Sequence, residues 1–142
     1  MTALTVTVPG VPQPQGSMKS FGRGPLVHSN AEHLLPWRAS LIGHLRQAMD
    51  ADMVEPGWPI SGPVRVDVVF TLPKPKSAPK SRLHPDRKPD LDKLCRAALD
   101  ALGQKTGAGV IYDDAQVVGL VAAKNYGNPG CTLTIASLWD ES

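Results

Sequence analysis

Cysteine is scarce in this 142-residue sequence, which has only Cys95 and Cys131. There is no C-x-x-C or Cys/His spacing, and the four histidines (His28, His33, His44, His84) include no pair at a metal-binding helical spacing. That argues against a zinc site. The two cysteines could pair by arithmetic. Cys95 falls on the apolar side of an expected helix, however, and Cys131 at the start of an expected strand, so free buried thiols in a reducing cytoplasm are the better reading. No apolar run approaches the roughly 20 residues needed to span a bilayer. The opening MTALTVTVPG lacks a basic segment followed by an apolar one, so no secretory signal is visible. Aromatic residues make up 5% of the chain. Trp37, Trp58 and Trp139 are expected in the core or at an interface, and nothing marks a base-stacking platform.

What is present suits a single globular domain over residues 1–142. The chain is 42% hydrophobic and 20% charged, and its length allows a real core without metal or disulfide staples. Fourteen prolines and thirteen glycines imply long shaped loops around that core. The net charge of +2 favours a polyanionic partner only weakly, but its distribution is more telling. Lys74, Lys76, Lys80, Arg82, Arg87 and Lys88 stand against the single acid Asp86, and Asp90 to Asp114 then holds five acids. A basic arm beside an acidic patch offers cations for a phosphate backbone and carboxylates for a metal.

Alternation over Leu4–Val8 predicts an opening strand. The Gly/Pro-rich stretch from Pro9 to Pro25, carrying Lys19, Phe21 and Arg23, is expected to be a long loop without regular structure. Ser29-Asn30-Ala31-Glu32 fits a capping box that starts a helix running to about Asp50, with Leu35, Ile42, Leu45 and Met49 as its buried stripe. Pro36 either kinks this helix or begins it, and the capping box favours the earlier start. Val64–Leu72 is the clearest strand, and Pro73 to Pro89 forms a basic proline-rich loop, expected to be mobile. From Asp90 a second helix follows, with Leu91, Leu94, Cys95, Ala98 and Leu102 at helical spacing and Gly103 as its C-cap. Strands are expected over Gln116–Lys124 and Cys131–Trp139. The order β-α-β-α-β-β predicts an α+β fold, a small mixed sheet with two helices packed against it.

The chemistry concentrates in Pro89-Asp90-Leu91-Asp92-Lys93-Leu94-Cys95-Arg96 and in Asp113-Asp114. On a continuous helix, residues two apart point about 200° from each other. With Asp90 at a non-helical N-cap and Asp92 in the first turn, both can face one space. The plainer alternative makes Asp90 an ordinary cap, Asp92 a complement to the helix dipole and Asp113-Asp114 a polar turn. Taken together, these carboxylates would repel one another unless protonated or bound to a cation. A hard divalent ion such as Mg2+, held by one or two carboxylates with waters and phosphate, resolves that. Arg96 either pairs with Asp92 and Asp100 on the surface or stabilises charge on a phosphate. Lys93 faces solvent or contacts phosphate. The cations from Lys74 to Lys88 are a solvated run or a DNA-binding arm, and His84 is a loop histidine rather than a base.

Pro89-Asp90-Leu91-Asp92-Lys93-Leu94, Ala97-Ala98-Leu99-Asp100-Ala101-Leu102 and Tyr112-Asp113-Asp114-Ala115-Gln116-Val117-Val118 together resemble the signature of the RusA family of Holliday junction resolvases. Val8-Pro9-Gly10 with Pro12, Pro14, Gly16 and Ser17 resembles that family's N-terminal loop, and His28-Ser29 and Trp37-Arg38 the start of its first helix. The resemblance implies a homodimeric, Mg2+-dependent endonuclease, with Mn2+ able to substitute, that nicks four-way DNA junctions symmetrically in recombination and repair. It assigns catalysis and metal binding to Asp90, Asp92 and Asp114, with Asp113 a further metal candidate. Arg96 stands where the family has a basic residue, a lysine in a known member, and its fork geometry differs from lysine's. Such proteins are often carried by phages and prophages. A non-catalytic branched-DNA binder and a small-molecule phosphohydrolase are the competing readings.

Overall fold

A computed structural model describes residues 2–16, 18–20, 26–28, 30–51 and 57–139, with 18–20 and 26–28 described by backbone alone. The elements are β1 (Ala3–Pro9), β2 (Met18–Ser20), β3 (Leu26–His28), α1 (Ala31–Ala51), β4 (Val64–Leu72), α2 (Leu91–Asp100), a 3-10 turn (Asp114–Gln116), β5 (Val117–Tyr126) and β6 (Gly130–Ser137). The four long strands make one mixed sheet in the order β1-β6-β4-β5. β6 runs antiparallel to both β1 and β4, while β4 and β5 are parallel, with Val66 opposite Leu120 and Leu72 opposite Tyr126. A parallel pair needs a long crossover. Here the basic arm and α2 supply it.

Strand alternation sets which face carries the helices. Val64, Val66, Val68, Phe70 and Leu72 of β4 are buried, as are Leu4, Val6 and Val8 of β1 and Leu133 and Ile135 of β6. Against them pack Trp37, Leu41 and Leu45 of α1 and Leu94, Cys95 and Ala98 of α2, and Leu34 of α1 is buried as well. The other face carries threonines, with the Thr5 and Thr134 hydroxyls 3.0 Å apart, and the Arg65–Asp67 pair at 2.8 Å. The expected α+β architecture and the order of its main elements are as found. Cys95 and Cys131 are both buried and free.

Several boundaries differ from expectation. The Pro9–Pro25 stretch is not wholly irregular, because β2 pairs antiparallel with β3, Met18 opposite His28. Helix α1 begins at Ala31 and contains Pro36. Ser29 of the expected capping box lies outside the described residues. The Asn30 amide instead donates to Gln13 Oε1 at 3.2 Å and the Pro14 carbonyl at 3.5 Å. The buried stripe runs through Leu34, Trp37, Leu41 and Leu45. Leu35, about 100° around the helix from Leu34, is 55% exposed. Trp139, expected inside or at an interface, is exposed and lies against Gly62, whose φ of +82° and lack of a Cβ make room for the indole.

Gly103 does not cap α2. The helix ends at Asp100, and the Ala101 and Leu102 amides donate back to Ala98 and Leu99, tightening the last turn. The chain then folds over itself. Val110 donates to Leu102, Ala108 to Ala101, and Ala101, Leu102, Val110 and Ile111 are all fully buried. Gly107 passes so close to the Ala101 carbonyl that a Cβ would collide with it. The basic stretch 73–89 has no helix or strand, in keeping with a loop. It is a series of turns, such as Ala78 N to Pro75 O at 3.0 Å and Arg82 N to Pro79 O at 3.0 Å.

Candidate active site

Helix α2 starts as its sequence demands, on a residue with extended backbone. Asp90 has φ −69° and ψ 138°, but its side chain makes no capping hydrogen bond. Its carboxylate instead lies 3.7 Å from the Lys93 ammonium. The simple capping role is therefore not the one Asp90 performs. Asp92, Arg96 and Asp100 follow at intervals of four along one stripe, beside the stripe of Leu91, Cys95 and Leu99. Burial is the first cause that raises the Cys95 thiol above its ordinary range, and the negative charge of Asp92 adds to it.

The second acidic pair is held by Gln116. Its Oε1 accepts from the Tyr112 and Asp113 amides at 2.8 and 3.0 Å, and its Nε2 donates to the Ile60 and Gly62 carbonyls, each at 2.8 Å. Gln116 thus fastens the turn that carries Asp113 and Asp114 to the loop before β4. Asp114 holds its proton more tightly than an ordinary carboxylate. Desolvation where it faces the protein is the first cause, and the hydrogen bond with Asp113 the second. The charges of Asp113 and Asp100 act the same way, while a backbone hydrogen bond opposes them. Arg38 of α1 lies 3.7 Å from Asp100 and donates to Gln15 Oε1 at 2.6 Å.

Two cavities flank the start of α2. One, of about 730 Å3, is lined by Leu91, Asp92, Cys95, Arg96, Leu99 and Asp114, with Leu120 and Ala122 of β5. It brings together Asp92, Arg96 and Asp114, residues from two elements and as much as 22 positions apart. The other, of about 530 Å3, lies off the carboxyl ends of β4 and β5, where Leu72 and Tyr126 line it, and includes Asp90, Lys93, Arg82, Arg87 and Lys88. Asp90 and Asp92 therefore line different cavities.

Among the described residues, no group of three or more His, Cys, Asp or Glu is placed to hold a metal ion by itself. Mg2+ does not need such a cage. One or two carboxylates, several waters and substrate phosphate are its usual partners. Asp92 and Asp114 on one cavity, with the Asp114 carboxyl already under pressure from neighbouring negative charge, suit an ion held jointly with water and phosphate.

The basic arm runs past the second cavity. Lys74, Lys76, Lys80, Arg87 and Lys88 are exposed and Arg82 half-buried. Asp86 lies 3.9 Å from Arg82 and 3.5 Å from Arg87, and Lys74 stands over the Tyr126 ring, 5.8 Å from its centroid. The arm is pinned where it meets α2, because Lys124 of β5 donates to the carbonyls of Arg87 and Pro89 at 2.8 Å each. The side chain of Lys19 and the whole of Arg23 lie outside the described residues. The N-terminal loop closes the far wall, with the Gln15 amide donating to the Lys93 carbonyl at 3.0 Å.

Sequence reasoning assigned no role to Gln116, Lys124 or Arg38. Gln116 was open to discovery, since a glutamine three residues after Asp113 is a capping-box spacing. Lys124 acts across 35 and 37 positions and Arg38 across 23 to Gln15 and further to Asp100, and local spacing carries no sign of that.

Comparison with protein families matches residues 9–136 to the endodeoxyribonuclease RusA family. The chain belongs to that family. The match spans both acidic segments, the basic arm, β4, β5 and all but the last residue of β6. A search of curated proteins returned no match.

Proposed function

We propose that this RusA-family chain is a Mg2+-dependent endonuclease that resolves four-way DNA junctions by paired symmetric nicks, acting in recombination and repair as a homodimer. The observation that carries the reading is the shared cavity of Asp92, Arg96 and Asp114 beside a cationic arm. In the mechanism, Asp92 and Asp114 would hold the metal, with Asp90 and Asp113 as the further acids of the family's pattern. The chemistry an ion bound there would supply is a nucleophilic water and an offset for charge on the leaving 3′ oxygen. Arg96 directs guanidinium N–H donors at the scissile phosphate, where negative charge builds up in the transition state. Lys93 and the arm residues Lys74, Lys76, Lys80, Arg82, Arg87 and Lys88 neutralise neighbouring phosphates, joined by Lys19 and Arg23 of the N-terminal loop.

Two copies related by a two-fold axis would present one such site to each of two opposed strands. The free edge of β5 supports a second copy. Among the described residues that strand pairs only with β4, and it exposes Val118, Leu120 and Val121. Edges of this kind are normally covered or charged.

The test is a synthetic four-way junction against a linear duplex of matched sequence, with and without Mg2+. Two symmetric nicks in the junction alone, and only with metal, are expected. A gel shift with no nicks at any metal concentration would make the protein a branched-DNA binder. Hydrolysis of free nucleotides with no action on junctions would make it a small-molecule phosphohydrolase.

A further inference from the structure

The 530 Å3 cavity on the Asp90 side of α2 has a composition that a phosphate-binding surface alone does not require. Pro12 and Pro14 of the N-terminal loop, Pro75 of the arm and Tyr126 of β5 give it rigid apolar walls. Proline rings lose almost no side-chain entropy when a ligand covers them. Arg82, Arg87, Lys88 and Lys93 line the same space against the single carboxylate of Asp90. Lys74 adds a further cation over the Tyr126 ring.

The walls are fastened before any ligand arrives. The Asn30 amide donates to the Pro14 carbonyl, Gln15 donates to Lys93 at the start of α2, and Lys124 holds the arm at Arg87 and Pro89. A preformed cavity of this volume falls in the usual range for a small ligand, about 300–1,000 Å3. An unstacked base suits it, with a flat apolar body for the walls and an attached anion for the cations.

Its position narrows the occupant. Asp90 and Lys93 open into this cavity, while Leu91, Asp92 and Arg96 open into the other. A DNA strand that held a phosphate at Asp92 and Arg96 and passed over the helix start would bring its neighbouring nucleotide to the proline-lined space. We infer that this cavity binds one unpaired nucleotide flanking the scissile phosphate, its base against Tyr126 and the prolines and its phosphate on Lys88 and Lys93. The inference rests on the nuclease reading above and extends it to how a distorted junction is distinguished from duplex.

The experiment uses the full chain and four-way junctions that carry one abasic residue at each position flanking the cleaved bond. Binding is measured in EDTA and cleavage in Mg2+, for the wild type, Tyr126→Leu and Tyr126→Phe. For the wild type, one abasic position is expected to weaken binding about tenfold, the scale of a single base–aromatic stack. Tyr126→Leu should lose a similar factor on the intact junction and nothing further on that abasic junction. Tyr126→Phe, which keeps the ring, should match the wild type and so separate lost stacking from a damaged fold. The inference is overturned if no abasic position affects the wild type, or if the abasic and Tyr126→Leu losses multiply as independent effects. A wild type that neither binds nor cuts the intact junction would instead sink the nuclease reading, and the inference with it.

Discussion

At the scale of single residues, the structure assigns work to side chains that carry no catalytic chemistry. Gln116 satisfies two amides and two carbonyls at once. Replacing it by leucine leaves those groups to water or to nothing. A loss of about 2 kcal/mol in urea unfolding is expected, since a net contribution of about 1 kcal/mol per hydrogen bond is partly recovered by solvent. Nuclease activity should fall further than stability explains, because the Asp114 turn loses its fastening. Cys131 offers a second check. Burial raises its thiol to about 12, from an ordinary value of 9.0, with the neighbouring Cys95 adding to the effect. The folded state therefore keeps the proton that the unfolded chain releases. Stability should be unaffected below pH 9 and then fall between pH 9 and 12, by at most about 1.4 kcal/mol per pH unit. Replacing Cys131 with alanine should flatten that alkaline limb in unfolding curves measured across pH. Both cysteines were legible as free and buried, because their apolar neighbours follow strand and helix periods. Of the role of Gln116 only the local half was, because its partners Ile60 and Gly62 lie more than 50 positions away.

At the scale of elements, α2 and the arm before it decide whether acids and cations meet. The helix was legible from its 3.6-residue period and from Asp90 at its start. Its end was not. Leu102 continues the apolar pattern, yet the chain leaves the helix at Asp100 so that Leu102, Val110 and Ile111 can fill the core together. The same limit moved the α1 stripe from Leu35 to Leu34. Adjacent leucines are equivalent in sequence, and packing against β1 chooses between them. The arm was legible as basic and proline-rich, but its anchor was hidden on β5. Changing Lys124 to methionine removes both hydrogen bonds to the arm while keeping an apolar stem. Residues 73–89 should then be cleaved faster in limited proteolysis, with global stability changed by less than about 1 kcal/mol. Unchanged proteolysis would mean that the turns alone hold the arm.

At the scale of the whole molecule, one parallel strand pair in an otherwise antiparallel sheet organises the site. The crossover from β4 to β5 puts the start of α2 near the carboxyl ends of both strands, where open sheets commonly bind ligands. It also leaves β5 as an edge with exposed Val118 and Val121. Sedimentation should therefore give a species of twice the 15.1 kDa chain, and Val118→Lys with Val121→Lys should convert it to a monomer. A wild type that sediments as a monomer at micromolar concentration would remove the two-site arrangement. The sequence alone made the acids and cations visible, but not that Asp90 and Asp92 line different cavities. That division follows from where the N-terminal loop and β5 pack. The most direct measurement compares Asp92→Asn with the wild type on one four-way junction in Mg2+, following binding and cleavage together. The account predicts cleavage reduced to background, with junction binding unchanged or tighter. Cleavage by Asp92→Asn at the wild-type rate would contradict it.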